Sequence, residues 1–162
     1  MLNAPIPKNE KERMEALRSL NILDTAPEER FDVLTKMASK MLAVPISVVS
    51  IVDKDREWYK SCEGLNIKQG ARNISFCGHA MLSEDVFIIE DTYLDSRFKD
   101  NPTVIGAPFI RFYAGVRMRD LKTNLPIGVF CVKDYKPRKF DSTQIDYLLM
   151  LAQRAEIELN KK

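Results

Sequence analysis

A cysteine and a histidine occur two residues apart in the segment 75–81. His79 is the one histidine of the chain, and Cys77 is one of three cysteines. A thiol beside an imidazole could act as a nucleophile that is activated by a general base. Side chains at positions i and i+2 of a helix point in different directions, however, so this spacing disfavours a Cys–His hydrogen bond. The alternative is that Cys77 packs as a small apolar residue and that His79 lies at the surface or lines a pocket.

Charged side chains form a second cluster, which runs from a polar segment into an alternating stretch at residues 110–116. Arg111 lies between apolar residues of this stretch, and a charge inside a sheet must meet a partner or line a cavity. We therefore predict that Arg111 pairs with an aspartate of the polar segment and that Arg111 and Tyr113 face a cavity. Whether such a pair braces a loop or receives a ligand stays open. The cluster comprises Asp91, Asp95, Arg97, Asp100, Arg111 and Tyr113.

Two strands joined by a polar turn must position this cluster. The period-two pattern of residues 110–116 predicts one strand with an apolar face toward the helices. Residues 127–132 are apolar on both faces, which predicts a central strand of the sheet. Pro126 can begin that strand without the loss of a ladder hydrogen bond. The residues expected to face the helices are Ile110, Phe112, Ala114 and Val116.

The remaining elements complete an α+β pattern of one domain at 9–160, preceded by a mobile lead-in at 1–8. Thr25 and Glu28 have the spacing of a capping box for the second helix. Asp141 or Ser142 should cap the last helix. In chain order, the pattern predicts helices from Asn9 and from Pro27, strands at 46–52 and 56–62, a short helix at 74–82 started by Ser75, a strand at 86–89, a short helix at 95–102, the two strands above and a last helix.

Composition limits the classes of function. The chain has 25 basic and 23 acidic residues, and a net charge of +2 gives no general argument for binding nucleic acid, whose backbone requires a concentrated basic face. No apolar run approaches the roughly 20 residues of a membrane span. The three cysteines lack the spacing of metal ligands. We therefore expect free thiols, a cytoplasmic protein, and neither nucleic acid nor membrane as a partner.

The run Ile110-Arg-Phe-Tyr-Ala-Gly-Val116, with Ile127-Gly-Val-Phe-Cys-Val132 and Asp134, closely resembles the small-molecule-binding GAF domains of bacterial signalling proteins. Residues 12–32 resemble the lead-in to many such domains. The resemblance implies a GAF-like fold, related to PAS and profilin folds: a six-stranded antiparallel sheet with long terminal helices on one face and short helices and loops over the other. A cavity would lie under the loops. The candidate pocket residues are Phe76, Cys77, His79, Asp91, Asp95, Arg97, Phe98, Arg111 and Tyr113.

The resemblance does not name the ligand. Bilin-carrying relatives have a cysteine directly before a histidine, whereas Gly78 separates Cys77 from His79 here, which argues against bilin attachment. Cyclic-nucleotide-binding relatives carry a signature after the last strands that Phe140 and Asp146 match only in part. A cyclic nucleotide is therefore compatible with the sequence but unsupported by it, and the cofactor stays unknown.

The resemblance implies a non-enzymatic sensory or regulatory module that binds a small molecule, mediates dimerisation, or does both, beside a signalling output domain. The alternative is an enzyme similar to the free methionine sulfoxide reductases that uses Cys77 or Cys131. Phe76-Cys77-Gly78 resembles their Val-Cys-Gly segment, but the region that should hold their catalytic cysteine, 101–108, has none. We therefore expect no enzymatic activity. We also expect a homodimer through residues 9–22 and 143–160, because the last helix has surplus apolar residues: Tyr147, Met150, Leu151 and Ile157.

Overall fold

A computed structural model describes residues 1–161 and shows a six-stranded antiparallel sheet with helices on both faces. The strand order is β3-β2-β1-β6-β5-β4, so β1 and β6 lie in the centre. This arrangement confirms the predicted α+β fold. The strands are β1 (Ile46–Val52), β2 (Arg56–Glu63), β3 (Gln69–Ala71), β4 (Phe87–Ile89), β5 (Phe112–Arg119) and β6 (Pro126–Asp134), and the helices are α1 (Glu10–Ser19), α2 (Glu29–Leu42), α3 (Phe76–Ala80), α4 (Pro102–Ile105) and α5 (Ser142–Leu159).

Two hydrophobic cores lie on opposite faces of the sheet. Strand β1 is buried along its whole length, and β6 is buried at all positions but the first. On one face, α1, α2 and α5 pack against side chains such as Phe112 and Phe130. On the other face, α3 and the segment 98–110 pack against Val129 and Cys131. The apolar character of β6 on both faces therefore predicts its central position correctly.

Side-chain caps fix the beginning of two helices as predicted. The Gln144 N–H donates to the Asp141 carboxylate, and the Asp141 N–H donates to the Gln144 side chain, which completes a capping box for α5. Ser75 caps α3, because its Oγ accepts a hydrogen bond from the Gly78 N–H. Both caps act within three residues, and such short-range signals can be read from a sequence.

Two other predicted helix starts are wrong. Thr25 does not cap α2, because its hydroxyl donates within the preceding turn, and the helix begins only at Glu29. In the segment predicted as a helix at 95–102, residues 96–100 form a turn. Helix α4 follows this turn and begins at Pro102, with Asn101 as its cap. Proline suits the first helical position, so Pro102 opens a helix where the prediction ends one.

Strand β5 begins at Phe112, later than the alternation predicts. Phe112 faces the helices as expected, and Tyr113 faces the opposite core. Ile110 packs on the same side of the sheet as Tyr113, so the prediction that Ile110 faces the helices is wrong. Phe109 has a left-handed backbone with a φ of 61°, and Arg111 lies outside the strand. The alternation therefore breaks before Phe112.

The buried stripe of α5 differs from the predicted one at two positions. The sequence predicts an inward stripe that consists of Ile145, Leu148, Leu149, Ala152, Ala155 and Leu159. Leu151 is buried although it is predicted to be surplus, and Leu149 is exposed although it belongs to the predicted stripe. The observed stripe keeps an i, i+3, i+4, i+7 spacing that includes Leu151 and excludes Leu149. Met150 and Ile157 are exposed as expected, and Tyr147 is half-buried.

Among residues 1–161, none of the helices combines the length and the apolar character that a membrane span requires.

Residues 1–8, the predicted lead-in, run across α3 and the turn before α4. The backbone N–H groups of Leu2 and Ala4 donate to carbonyls of neighbouring loops. The His79 Nε2 lies 3.1 Å from the Leu2 carbonyl oxygen and donates to it. The segment is therefore hydrogen-bonded at several points to α3 and to the loops on the same face of the sheet. Its mobility stays a prediction.

Replacing Phe112 with alanine should lower the free energy of unfolding by about 3–5 kcal/mol, because a fully buried ring leaves a cavity in the core. The matched control is Phe109→Ala, since Phe109 is 55% exposed and should change stability by less than about 0.5 kcal/mol. Urea unfolding followed by the fluorescence of the single tryptophan, Trp58, measures both. Equal losses in the two variants would contradict this assignment of the core.

Burial lowers the pKa of His79 from its ordinary value of 6.5. Below pH 6.5 the unfolded chain binds a proton at His79 that the folded protein does not bind. The contribution of the neutral, buried imidazole to the free energy of unfolding is therefore fully present above pH 6.5 and is lost as the pH falls toward the folded pKa. We expect the imidazole to titrate below pH 6.5 by NMR, without ambiguity because it is the only histidine. The variant His79→Gln should show a flatter dependence of stability on pH in this window, and a folded pKa at or above 6.5 would contradict the prediction.

Candidate ligand-binding site

The centre of the predicted pocket is filled by aromatic side chains. Phe76 stacks on Phe98 with 4.5 Å between ring centroids, and on Tyr113 with 5.1 Å. All three side chains are buried. These rings occupy the space between α3 and β5 where the sequence places a ligand, so this region is core and not cavity.

Cys77 and His79 point in different directions, so they form no catalytic pair. The Cys77 Sγ lies 3.2 Å from the Tyr113 hydroxyl oxygen and 3.7 Å from the Cys131 Sγ. Both thiols are fully buried. Burial raises the pKa of the Cys77 thiol, whereas for the Cys131 thiol burial is outweighed by the hydrogen bond with Cys77 together with the charge of Lys133, which lower its pKa. Lack of access, rather than pKa, therefore excludes both thiols as nucleophiles. Reactive cysteines are exposed and have a lowered pKa. The alternative interpretation as a sulfoxide reductase therefore lacks an accessible nucleophile.

The charged residues of the predicted pocket form ion pairs at its outer rim. Arg111 Nη2 lies 3.0 Å from an oxygen of Asp91, and its guanidinium lies 3.5 Å from the ring centroid of Tyr93. Arg97 pairs with Asp95 at 2.7 Å, and this hydrogen bond lowers the pKa of the Asp95 carboxyl. All four charges are partly exposed. The predicted pairing of Arg111 with an aspartate is therefore confirmed. Arg111 directly precedes β5 and does not line the cavity described below, so the predicted cavity-facing position is not observed.

A small cavity lies on the same face of the sheet, nearer to β2 and β6. Its volume is about 80 Å³. Side chains of the segment 65–76 and of Ile110 form most of its wall and are largely apolar. Phe76 is the only one of the nine predicted pocket residues that lines it. The structure therefore moves the candidate site away from the predicted cluster.

Glu57 of β2 and Lys133 of β6 bring opposite charges into this cavity. They are 5% and 6% exposed. The Tyr59 hydroxyl donates to Glu57 Oε1, whereas Glu57 Oε2 has no hydrogen-bond partner within residues 1–161. Burial by itself lowers the pKa of Lys133, but the nearby Glu57 raises it and the net shift is upward. The ammonium of Lys133 is therefore charged at neutral pH.

The sequence analysis does not predict three polar residues of this cavity, Glu57, Tyr59 and Lys133. The signal that could have identified Lys133 is the one applied to Arg111, a charge that extends an apolar strand. Glu57 and Tyr59 alternate with Trp58 and so share one face of β2. That face could have been recognised only by pairing β2 with the rest of the sheet.

A larger groove of about 600 Å³ lies along the outer edge of β2. Two of its charged side chains already have partners in the protein, since Lys60 pairs with Glu28 at 2.7 Å and Asp32 accepts a hydrogen bond from Ser61. The cavity beside Glu57 and Lys133 is the stronger candidate for a ligand, because it holds a buried carboxylate oxygen without a partner within residues 1–161. Among residues 1–161, no group of three or more His, Cys, Asp or Glu side chains is arranged to hold a metal ion.

Known proteins similar to this chain include one curated relative and two solved structures. A protein of Pseudomonas aeruginosa named cyclic di-GMP phosphodiesterase is 38% identical over 138 residues, which are 85% of this chain and 23% of that protein. The chain thus spans less than a quarter of this curated relative. The GAF domain of an Acinetobacter phosphoenolpyruvate-protein phosphotransferase superposes with a TM-score of 0.63 at 16% identity, over 91% of this chain and 92% of that one. A type II free methionine-R-sulfoxide reductase of Thermoplasma acidophilum gives 0.65 at 13% identity, over 91% and 94%.

These comparisons contradict the expectation of no enzymatic activity. The curated relative is named as a phosphodiesterase, and one of the two structural neighbours is a reductase. The sequence motifs indicate a fold that occurs both in sensory domains and in enzymes. The lack of a recognised nucleophile in one domain therefore does not exclude enzymatic activity. The name phosphodiesterase describes the whole relative, of which this chain matches only a part.

The family of the chain follows from its own residues. A family model described as GAF domain matches residues 26–159, which hold all six strands and the helices α2 to α5. The six-stranded sheet with long helices on one face agrees with the Acinetobacter GAF domain, which confirms the predicted fold. The chain belongs to the GAF domain family.

Proposed function

We propose that the chain is the sensory and regulatory domain of a cyclic di-GMP phosphodiesterase. The observation that carries this proposal is the 38% identity to the Pseudomonas aeruginosa phosphodiesterase, which far exceeds the identity to the two structural neighbours. The match covers 23% of that protein, so most of its length lies outside the region that resembles this chain. In this proposal the chain receives a signal and controls hydrolysis of the cyclic dinucleotide.

A small molecule bound in the cavity beside Glu57 and Lys133 would be that signal. The cavity combines an apolar wall with a few polar groups, which is the usual character of a ligand site. Its volume of about 80 Å³ is far below the roughly 300–1,000 Å³ that drug-sized ligands occupy. This size disfavours a bilin or a cyclic nucleotide in the cavity as it stands and favours a smaller metabolite.

A homodimer that forms through α2 and α5, on the face of the sheet opposite the cavity, would transmit the signal to the rest of the protein. Helix α5 exposes Met150 and Ile157, and α2 exposes apolar side chains at i, i+4 and i+8: Val33, Met37 and Met41. The two helices are neighbours, because Arg30 of α2 pairs with Glu158 of α5. The outward face of α1 is charged or polar, so α2 replaces the predicted segment 9–22 in the proposed interface. Apolar side chains exposed on two neighbouring helices favour association.

The double variant Met150→Glu and Ile157→Glu should convert a homodimer into a monomer. Each Met or Ile side chain buried between protomers contributes about 1.5–3 kcal/mol before the cost of association, and a buried carboxylate opposes it. Sedimentation at micromolar concentration measures the change. Leu94→Glu is the matched control, because Leu94 is 85% exposed and lies outside the helix layer. A parent chain that sediments as a monomer would contradict the proposed dimer.

Regulation can be tested by replacing the matching region of the Pseudomonas aeruginosa phosphodiesterase with this chain. We expect the chimera to change its rate of cyclic di-GMP hydrolysis severalfold when a small-molecule fraction of a bacterial lysate is added. An enzyme from which the region is deleted should not respond. Identical rates for the chimera and the truncated enzyme, with and without the fraction, would contradict the regulatory role.

A further inference from the structure

The cavity between β2, β6 and α3 contains two charged groups with unpaired atoms. Glu57 Oε1 accepts a hydrogen bond from Tyr59, but the buried Glu57 Oε2 has no partner within residues 1–161. Lys133 Nζ makes no hydrogen bond and no direct salt bridge with a residue among 1–161, although the nearby charge of Glu57 raises its pKa. It lies 5.9 Å from the ring centroid of Phe76. One carboxylate oxygen and one ammonium group are therefore free to bind a ligand.

The other polar side chains of the cavity are already satisfied. The Ser75 Oγ donates to the Arg72 carbonyl and accepts from the Gly78 N–H. The Thr103 hydroxyl donates to Asn101. The cavity thus offers a ligand one negatively charged acceptor at Glu57 and one positively charged donor at Lys133.

Charge and size together define the ligand. Buried charges are costly unless they are paired. The charge of Glu57 lies near enough to raise the pKa of Lys133, but no direct salt bridge within residues 1–161 joins the two side chains. A cavity of about 80 Å³ is well above the roughly 10–15 Å³ that a single water molecule needs and far below the volume of a drug-sized ligand, so it suits a small molecule. The apolar wall leaves room for a short hydrocarbon side chain.

We propose that this cavity binds a small α-amino acid with an apolar side chain, in the size range from alanine to valine. The ammonium group of the amino acid donates to Glu57 Oε2, and its carboxylate accepts from Lys133 Nζ. Both buried charges are then paired, and the side chain packs against the apolar wall. This inference rests on the proposed sensory function and names the class of ligand for it.

Binding of L-alanine and L-valine to the purified 162-residue chain tests the proposal, by calorimetry and by the shift in melting temperature. The comparison compounds are 3-methylbutanoate, which is valine without its ammonium group, and 2-methylpropylamine, which is valine without its carboxylate. We expect L-valine to bind at least about tenfold more tightly than either, because each lacks one hydrogen bond between charged groups.

Variants of the two charged residues should weaken binding of L-valine at least about tenfold. These variants are Glu57→Gln and Lys133→Met. The double variant keeps the net charge of the chain and leaves neither buried charge without the other, so it still reports on binding if a single change impairs folding. The matched controls are Glu63→Gln, at the far end of β2, and Lys136→Met, in the exposed turn after β6. Both controls should bind L-valine as the parent chain does.

Two results would overturn the proposal. Equal binding of L-valine and 3-methylbutanoate, unaffected by Glu57→Gln, would identify a simple anion site. No rise in melting temperature with alanine or valine would show that this class of ligand is wrong. The phosphodiesterase chimera is tested with a complete small-molecule fraction, so it would still respond if only the ligand class were wrong.

Discussion

Strands β1 and β6 have no face in contact with water, and the rest of the fold follows from that constraint. Every residue of β1 is buried, and so is nearly every residue of β6. A strand buried on both faces needs a packed layer on each side. Helices α1, α2 and α5 supply one layer, and α3 with the segment 98–110 supplies the other. Because side chains alternate between faces, the register of these two strands decides which layer each side chain meets.

The same constraint determines how the polar groups of the sheet behave. On the helix side they find partners, since Ser47 donates to the Thr35 carbonyl and Ser61 donates to a carboxylate of α2. On the opposite face, Glu57 keeps one unpaired oxygen, and Lys133 makes no direct salt bridge or hydrogen bond within residues 1–161 although the nearby charge of Glu57 raises its pKa. A buried unpaired charge lowers stability, and departures of this kind occur where a protein binds something. The two faces of one sheet therefore have different roles, one structural and one suited to a ligand.

The fold was predictable from the sequence to the extent that its signals are local. The caps at Ser75 and Asp141 act within three residues, and the apolar run of β6 marks a central strand by itself. The cavity has no such local signal, because Glu57 and Lys133 lie 76 positions apart along the chain and meet only through the pairing of strands. Arg111 presents the same pattern as Lys133, a charge beside an apolar strand. Only the packing shows that one is at the outer rim and the other is buried.

Strands β2 and β6 connect the cavity to the helix layer. Glu57 is followed by Trp58, and Lys133 is preceded by Val132, and both of these apolar side chains lie in the core under the helices. Hydroxyl hydrogen bonds also join α2 to β1 and β2. Neighbouring side chains of a strand point to opposite faces, and a close-packed interior transmits displacements. A ligand that draws Glu57 and Lys133 toward itself would therefore move groups in contact with α2 and α5. A sensory site on one face of this sheet can thus act on an interface on the other without any change in the order of its strands.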